Sequence, residues 1–378
     1  MQLEIHVLQS FAPANLNRDE NGMPKSTVFG GRPRARISSQ CQKRAARKFY
    51  QENSMIEPKH FAERSRAWMP ELKQILQAQN IAEVKAETAA KLALEVLGAK
   101  FEGEKIESKT ILFLGKTEIQ AIADILIENW GVIERKVSEE KPALPTKDPN
   151  IPKVIEHGLK DSFKPGDVAL FGRMMAALPT VNVDAAVQVA HALSVHALQQ
   201  EFDFFTAVDD LGASNDAGAD HMGETGYNSS TYYRFAVLDT VQLQKNLGSV
   251  AQSILVAQAF VEAFIKAIPS GHQNAFAAHS LPALVMLVVR KGQPISLVDA
   301  FENPVYPSDK LSLLEKAVRQ FEEHWVDLTK MYGNGSDYQG IVTLTRLEKH
   351  LGSLNGAKKD ALLTLLDEAV AAAFPTGG

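Results

Sequence analysis

The segment from Lys25 to Lys48 carries eight basic residues and no acidic one, although the net charge of the 378-residue chain is −5. Such a block must either bind an anion or remain a solvated run on the surface. The overall acidity hides the block, but the field at a binding groove is set by local charge. The eight residues are Lys25, Arg32, Arg34, Arg36, Lys43, Arg44, Arg47 and Lys48.

Composition narrows the class of protein. With 45% hydrophobic and 22% charged residues, the chain is of ordinary globular type and long enough for about two to three domains. A single cysteine, Cys41, excludes a disulfide framework or a Cys-based metal site and fits a reducing cytoplasm. Residues 1–11 lack the basic start of a signal peptide. The longest uncharged run, 267–289, is interrupted by Pro and Gly and is polar, so no membrane helix is expected.

Hydrophobic periodicity gives a coarse secondary structure. Strands are predicted at residues 3–9, 32–37, 168–171, 230–238 and 284–290. Helices are predicted at residues 40–49, 184–198, 241–268, 310–331 and 347–373, together with a mostly helical insertion at 58–160. This order predicts an α+β sheet platform with two insertions.

The basic helix offers a candidate nucleic-acid site. With Ser38 as N-cap, one face presents Gln40, Lys43, Arg44 and Arg47 at helical spacing. The amide groups and the two seryl hydroxyls of the first turn would add an anion site. Stepped cations suit a run of phosphates, although a solvated helix face is the common alternative. Another face, expected to pack on the sheet, consists of Cys41, Ala45 and Phe49.

The second unusual segment is residues 201–230, with four glycines and seven acidic residues. No core element tolerates that mixture, so a projecting loop or hairpin is predicted. Phe204 and Phe205 near its base could stack on a nucleobase or belong to a hairpin core. Met174, after Gly172-Arg173, has the same two interpretations.

Most catalytic patterns are missing. Thr110 stands where a P-loop ending at residues 115–117 needs glycine, and His191 and His196 fit no metal-binding pattern. One alternative function remains, that of a metal-dependent ribonuclease that uses Asp203, Asp209 and Asp210. Another is a small-molecule phosphate enzyme with Gly30-Gly31 and the Ser38 turn as its cradle.

Six motifs then resemble a known family. In chain order they are LNRD (16–19), FGGRPRARISSQCQKRAAR (29–47), GDVALFGRM (166–174), FFTAVDDL (204–211), TYYRFAVLD (231–239) and QLQKNLG (242–248). Together they resemble the CasC-type backbone subunit of the type I-E CRISPR surveillance complex, Cascade. Residues 58–160 and the tail after about residue 305 match only in length and helical character.

The resemblance implies an α+β protein with an RRM-like (ferredoxin-like) palm, a helical fingers insertion and a projecting thumb. The palm would comprise residues 1–57, 161–199 and 231–378, the fingers 58–160 and the thumb 200–230. Copies would stack head to tail along the crRNA spacer in the cytoplasm, each thumb displacing one base while the others pair with a target DNA strand. The implied partners are crRNA, target DNA, further copies of the chain and other Cascade subunits, with no membrane, metal or cofactor. The family also implies that this subunit is not an enzyme but serves antiviral defence as a scaffold.

The resemblance also assigns residues. Those that would hold the RNA backbone are Lys25, Ser38, Gln40, Lys43, Arg44 and Arg47, to which the charge of the extended arm adds Arg36. Met174 would pack at the displaced base. The thumb wedge would consist of Phe205, Thr206 and Val208.

Overall fold

A computed structural model gives the fold and describes residues 1–103, 105–206 and 222–375. The chain divides into two compact units. The platform unit comprises residues 1–53, 188–240 and 257–378, and the helical unit comprises residues 54–187 and 241–256. Over the described ranges, every helix is too short or too polar to cross a lipid bilayer.

The strands of the described residues include a central group and a short separate pair. In chain order they are β1 (Gln2–Ala14), β2 (Ser26–Phe29), β3 (Arg32–Ile37), β4 (Ala62–Ser65), β5 (Leu112–Gly115), β6 (Val187–Val189), β7 (Ala192–Ser194), β8 (Glu201–Thr206), β9 (Met222–Asp239), β10 (Leu284–Arg290) and β11 (Ser336–Thr343). Within this part of the chain, nine strands form one sheet in the order β11-β10-β1-β9-β7-β3-β2, with β6 and β8 also pairing with β9. Strands β4 and β5 form the separate pair.

Helices supply the rest of the regular structure. The α-helices are α1 (Ser39–Glu52), α2 (Trp68–Gln77), α3 (Glu83–Val96), α4 (Lys116–Glu128), α5 (Trp130–Val137), α6 (Ile151–Asp161), α7 (Gly166–Phe171), α8 (Thr240–Leu247), α9 (Val250–Lys266), α10 (Gln273–Phe276), α11 (Leu313–Tyr332) and α12 (Leu362–Ala373). Short 3₁₀ helices lie at Pro58–His60, Pro179–Val181, Val298–Phe301, Thr345–His350 and Gly352–Ala357. The α+β class expected from the sequence is confirmed.

Strand β1 is the centre of the platform because it lies antiparallel between β9 and β10. Leu3, Ile5 and Val7 are buried, as the alternating pattern of residues 3–9 predicts. The polar residues between them, Glu4 and His6, are also buried. The Glu4 carboxylate accepts the Ile295 N–H at 3.0 Å and forms an ion pair with the Arg290 guanidinium at 2.6 Å. The alternation of apolar and polar residues in β1 therefore does not mean that its polar face is exposed to solvent, because the polar side chains on that face take part in a buried hydrogen-bonding network.

Two secondary-structure predictions were wrong. Residues 168–171, predicted as a strand, belong to α7, which follows Pro165 and ends at Gly172 with φ of +73°. A run of four apolar residues fits either element, and the flanking proline and glycine decide for a helix. Residues 184–198, predicted as a helix, contain β6 and β7. There the pairing of Leu193 with Tyr233 in the sheet overrides local helical spacing.

Candidate nucleic-acid interface

The start of α1 is built by residues from three parts of the chain. The Ser38 hydroxyl caps the helix by accepting the Cys41 N–H at 3.3 Å, and the Ser38 N–H donates to the Asn17 side chain at 2.9 Å. The Ser39 N–H donates to His191 Nδ1 at 3.1 Å. The first turn therefore offers fewer amides to an anion than the sequence suggested, because two of them already have protein acceptors. Ser38 is buried, and its hydroxyl serves the helix.

The cationic ridge, defined here as Gln40, Lys43, Arg44 and Arg47, lies on one side of α1. Gln40 and Arg44 are exposed, and Lys43 and Arg47 are half-buried. Their spacing along a regular helix brings the three cations within one stripe, as the sequence predicted. The first turn of α1 contains no acidic residue. The ridge thus presents three positive charges within about one turn of helix, with Gln40 one turn before them.

Lys25 and Arg36 extend the positive surface beside the start of α1. They are joined through the backbone, where the Arg36 N–H donates to the Lys25 carbonyl at 2.9 Å. The pKa of His191 is lowered, first by burial and then by the positive charges of Arg36 and Lys25. A neutral His191 can accept the Ser39 N–H, so these cations also favour the protonation state that the helix start requires.

Arg34 does not belong to this surface, although it is one of the eight basic residues between Lys25 and Lys48. It is fully buried and donates to the carbonyl oxygens of Ser194, Phe301 and Glu302 at 2.8–2.9 Å. Burial lowers the pKa of its guanidinium, and the ring of Phe29 lies 5.6 Å away. This residue anchors β3 within the platform and leaves the ridge to other cations.

The face of α1 that packs on the platform differs from the predicted one. The buried residues are Gln42, Ala46 and Tyr50, whereas the predicted set, Cys41, Ala45 and Phe49, is half-buried. Gln42 is drawn inward because its side-chain oxygen accepts from the buried Arg234 Nε at 3.2 Å. Arg234 also donates to Gln9 Oε1 at 2.7 Å, and burial lowers the pKa of its guanidinium to about 10. A sequence pattern of apolar residues could not show that a polar residue would point into the core.

In the helical unit, Met174 projects from a rigid turn. It is 85% exposed, whereas the neighbouring Met175 is 4% exposed. The backbone of Arg173 pairs with that of Val183 through two hydrogen bonds of 2.9 Å. The Met175 N–H donates to Asn182 Oδ1 at 2.6 Å. Because the residues on both sides are fixed, Met174 is presented to solvent by a defined backbone.

A buried ion pair holds this turn. Nη1 of Arg173 lies 2.8 Å from both carboxylate oxygens of Glu118, and both side chains are almost fully buried. Arg173 Nη2 also donates to the Val181 carbonyl at 3.3 Å, and Glu118 accepts the Gly115 N–H at 3.0 Å. This role of Arg173 was not predicted, and the only signal for it in the sequence is its place within the GDVALFGRM motif.

The base of the predicted thumb is a β-ribbon formed by β8 and β9, with every side chain of β8 exposed. Phe205 pairs across the strands with Gly223, and its ring covers that glycine so closely that an added Cβ would lie 2.3 Å from a ring carbon. Thr206 follows at the end of β8. Val208 lies outside the described residues.

Phe202 and Phe204 alternate with Phe205 along β8 and therefore point to the opposite face of the ribbon. Asp203, from the ribonuclease alternative, is exposed on β8. The other two residues of that alternative, Asp209 and Asp210, lie outside the described residues. Across the described ranges, no group of three or more His, Cys, Asp or Glu side chains could hold a metal ion.

The two histidines considered as helix residues flank β7 instead. His196 Nε2 accepts the Thr231 N–H at 3.3 Å, and its Nδ1 donates to the Ala197 carbonyl at 2.8 Å. His191 accepts from Ser39, as described above. Both rings therefore have structural hydrogen bonds within the platform.

Comparison with protein families then identifies the chain. The family model described as CT1975-like protein matches residues 3–370, which is nearly the whole chain. The chain belongs to the CT1975-like protein family. A comparison with curated proteins gave no match.

Two solved structures resemble this CT1975-like protein over their full length. A chain of a structure titled "CRISPR RNA-guided surveillance complex, pre-nicking" is 32% identical with a TM-score of 0.86, and covers 99% of this chain and 100% of its own. A chain of a "CRISPR RNA-guided surveillance complex" is 26% identical with a TM-score of 0.77, and covers 98% and 100%. These matches confirm the recognition of a CasC-type subunit from its six motifs.

Proposed function

We propose that this CT1975-like protein is the crRNA-binding backbone subunit of a type I-E Cascade complex, working in the cytoplasm in antiviral defence. Copies would assemble head to tail along the spacer, together with other Cascade subunits, and present the guide for pairing with a target DNA strand. The observation that carries the proposal is the cationic ridge on α1 in a chain whose relatives belong to RNA-guided complexes.

The ridge favours recognition of the backbone rather than of the sequence. Arg47 lies one helical turn, about 5–6 Å, from Lys43 and Arg44, and this spacing suits neighbouring phosphates of an extended strand. Lys25 and Arg36 continue the positive surface beyond the helix start. Contacts to phosphate carry no base information, so the guide sequence stays available for pairing.

Apolar side chains would place the strand. Met174 stands exposed on a fixed turn, and Phe205 lies exposed on the ribbon, followed by Thr206 at the end of β8. In the proposed assembly Phe205, Thr206 and Val208 form the wedge that displaces one base, and Met174 packs against that base. The acidic thumb sequence does not favour phosphate, so these contacts would be made to bases.

Removal of the ridge cations tests the proposal. The triple variant Lys43→Ala, Arg44→Ala, Arg47→Ala should weaken binding of guide RNA to a similar extent for all spacer sequences. For this variant, the slope of the logarithm of the RNA-binding constant against the logarithm of the salt concentration should become shallower by about 2, because each of the three lost phosphate contacts accounts for about 0.7. The measurement is fluorescence anisotropy with two unrelated spacers at several salt concentrations.

A matched control has the same charge change on a different helix. We choose Lys316→Ala, Arg319→Ala, Lys330→Ala on α11, which should bind RNA as the unmodified protein does. Equal affinity of the ridge variant and the control variant would refute the assignment of the ridge.

A second experiment tests the proposal that the subunit is not an enzyme. Labelled RNA incubated with the pure protein and Mg²⁺ should stay intact and enter assemblies whose size grows with RNA length, as gel filtration would show. Cleavage that disappears in the Asp209→Ala variant would instead support the ribonuclease alternative.

A further inference from the structure

A groove with a volume of about 650 Å³ lies within the platform unit alongside α1. It runs between that helix, the turn of residues 16–22 and the segment 267–271 that follows α9. This volume lies within the range of about 300–1,000 Å³ typical of small-ligand sites. Of the residues given a role in RNA binding, only Arg44 is among those described as lining the groove, which lies next to the cationic ridge.

One wall of the groove is apolar, whereas the rest of its lining is largely polar. Cys41, Ala45 and Phe49 line it, which is the set that the sequence placed against the sheet. They remain half-buried because Gln42, Ala46 and Tyr50 occupy the packed side of the helix. The groove therefore has an apolar side formed by one stripe of α1.

The charges around the groove balance. The lining includes three cations, Arg18, Arg44 and Lys48, and three carboxylates, Asp19, Glu20 and Glu52. A run of phosphates would meet as much repulsion as attraction here, in contrast to the ridge. A group with an apolar face and both hydrogen-bond donors and acceptors at its edge suits this lining better.

Some of these charged groups already form hydrogen bonds to other described residues of the protein, and at least one, Glu20, does not. Arg18 Nη1 lies 2.8 Å from His272 Nε2, and Asp19 Oδ1 accepts the N–H groups of Asn21 and Met23 at 2.9 Å. Glu20 is exposed, and within the part of the chain that the structure describes its carboxylate has no hydrogen-bond or ion-pair partner. Such a carboxylate can accept from the exocyclic amino group of a base.

Arg44 belongs both to the cationic ridge and to the lining of the groove. A strand held by its phosphates on the ridge therefore passes beside the groove. We propose that the groove receives one nucleobase of that strand while the guide is single-stranded, before it pairs with a target, with the plane of the base against the apolar wall and its edge toward the charged rim. This inference rests on the proposed function, since the strand on the ridge delivers the base.

The single cysteine reports on the occupancy of the groove without any mutation. The rate at which N-ethylmaleimide alkylates Cys41 is measured by mass spectrometry at pH 8, with binding followed by anisotropy on the same samples. A single-stranded RNA at about ten times its Kd should slow alkylation about tenfold, because about one-tenth of the grooves then remain open. An abasic tetrahydrofuran strand of equal length, at ten times its own Kd, should bind but leave the rate nearly unchanged.

Filling the groove provides a second measurement. Ala45→Leu should lower affinity for RNA about tenfold through loss of base contact, and leave affinity for the abasic strand unchanged. The control is Ala121→Leu, a half-buried alanine on α4, which should change neither affinity.

The outcomes separate the two proposals. If RNA binds without protecting Cys41, or if the abasic strand protects it equally, the groove proposal is overturned while the ridge assignment stands. If Ala45→Leu binds both strands as the unmodified protein does, the groove is again not the site. If neither strand binds, both proposals fail.

Discussion

The ion pair between Arg173 and Glu118 should be among the most sensitive points of the helical unit. Replacing Arg173 by Met leaves the fully buried Glu118 carboxylate with the Gly115 N–H as its remaining hydrogen bond among those observed. Breaking a buried pair in this way costs about 3–5 kcal/mol. Two further contacts of the guanidinium, to the carbonyls of Phe113 and Val181, are lost as well. We therefore expect Arg173→Met to lie at the upper end of that range.

A double-mutant cycle isolates the pair. Glu118→Gln alone should also cost about 3–5 kcal/mol, because it leaves the Arg173 charge buried. The combined variant should cost at least 2 kcal/mol less than the sum of the single changes, since neither charge is then left alone. Urea unfolding measures each free energy, followed by tryptophan fluorescence. Trp68 and Trp130 report on the helical unit and Trp325 on the platform unit.

Additive effects of the two substitutions would refute this account of the pair. So would an Arg173→Met variant that unfolds at the same urea concentration as the unmodified protein. A change confined to the emission of Trp325 would likewise contradict the assignment, because the pair belongs to the helical unit. The control Lys160→Met, at an exposed position, should shift the free energy of unfolding by less than about 0.5 kcal/mol.

Three further predictions concern stability measured by the same urea unfolding. Gly30→Ala should lower the free energy of unfolding by about 2–5 kcal/mol, because Gly30 has a φ of +57° and the added Cβ would lie 1.9 Å from the Glu302 carbonyl oxygen. Gly31→Ala, where the Cβ would enter open space, should lower it by only about 1–2 kcal/mol. Equal costs for the two substitutions would contradict the steric argument. Met175→Ala should cost about 2–5 kcal/mol and the exposed Met174→Ala less than about 0.5 kcal/mol, and the reverse order would refute the geometry of the turn. Stability should fall as the pH drops below about 6.5, because the unfolded chain then takes up protons at histidines whose folded pKa is lowered by burial, and a flat profile between pH 7 and 5 would contradict this. These histidines are His60, His191 and His196.

Much of the platform could be predicted from local pattern. Strand β10 coincides with the predicted residues 284–290, and α1 contains the predicted helix 40–49 after its serine cap. These segments have clear periodicity or clear end signals, and the tertiary structure agrees with them. The segment at residues 184–198 was predicted wrongly because its spacing also suits a helix, and its pairing in the sheet depends on residues elsewhere in the chain.

The candidate site also has parts that could be predicted from local sequence and parts that could not. The ridge was predictable because four residues on one helix fix their own relative positions through helical spacing. Asn17 and His191, which hold the helix start, were not predictable, since they lie 21 and 152 residues away along the chain from the groups that they bind. The exposure of Met174 likewise depends on a distant segment, through the hydrogen bond from Met175 to Asn182.

The sequence by itself determined the α+β class, the cationic stripe of α1 and the family, because each depends on residue type and on spacing along the chain. Only the tertiary structure decided which cations are exposed. Arg34 and Arg44 look alike in the basic block, yet one is buried on three carbonyl oxygens and the other faces solvent. Burial depends on what packs against a residue from elsewhere in the chain, and local sequence holds no record of that.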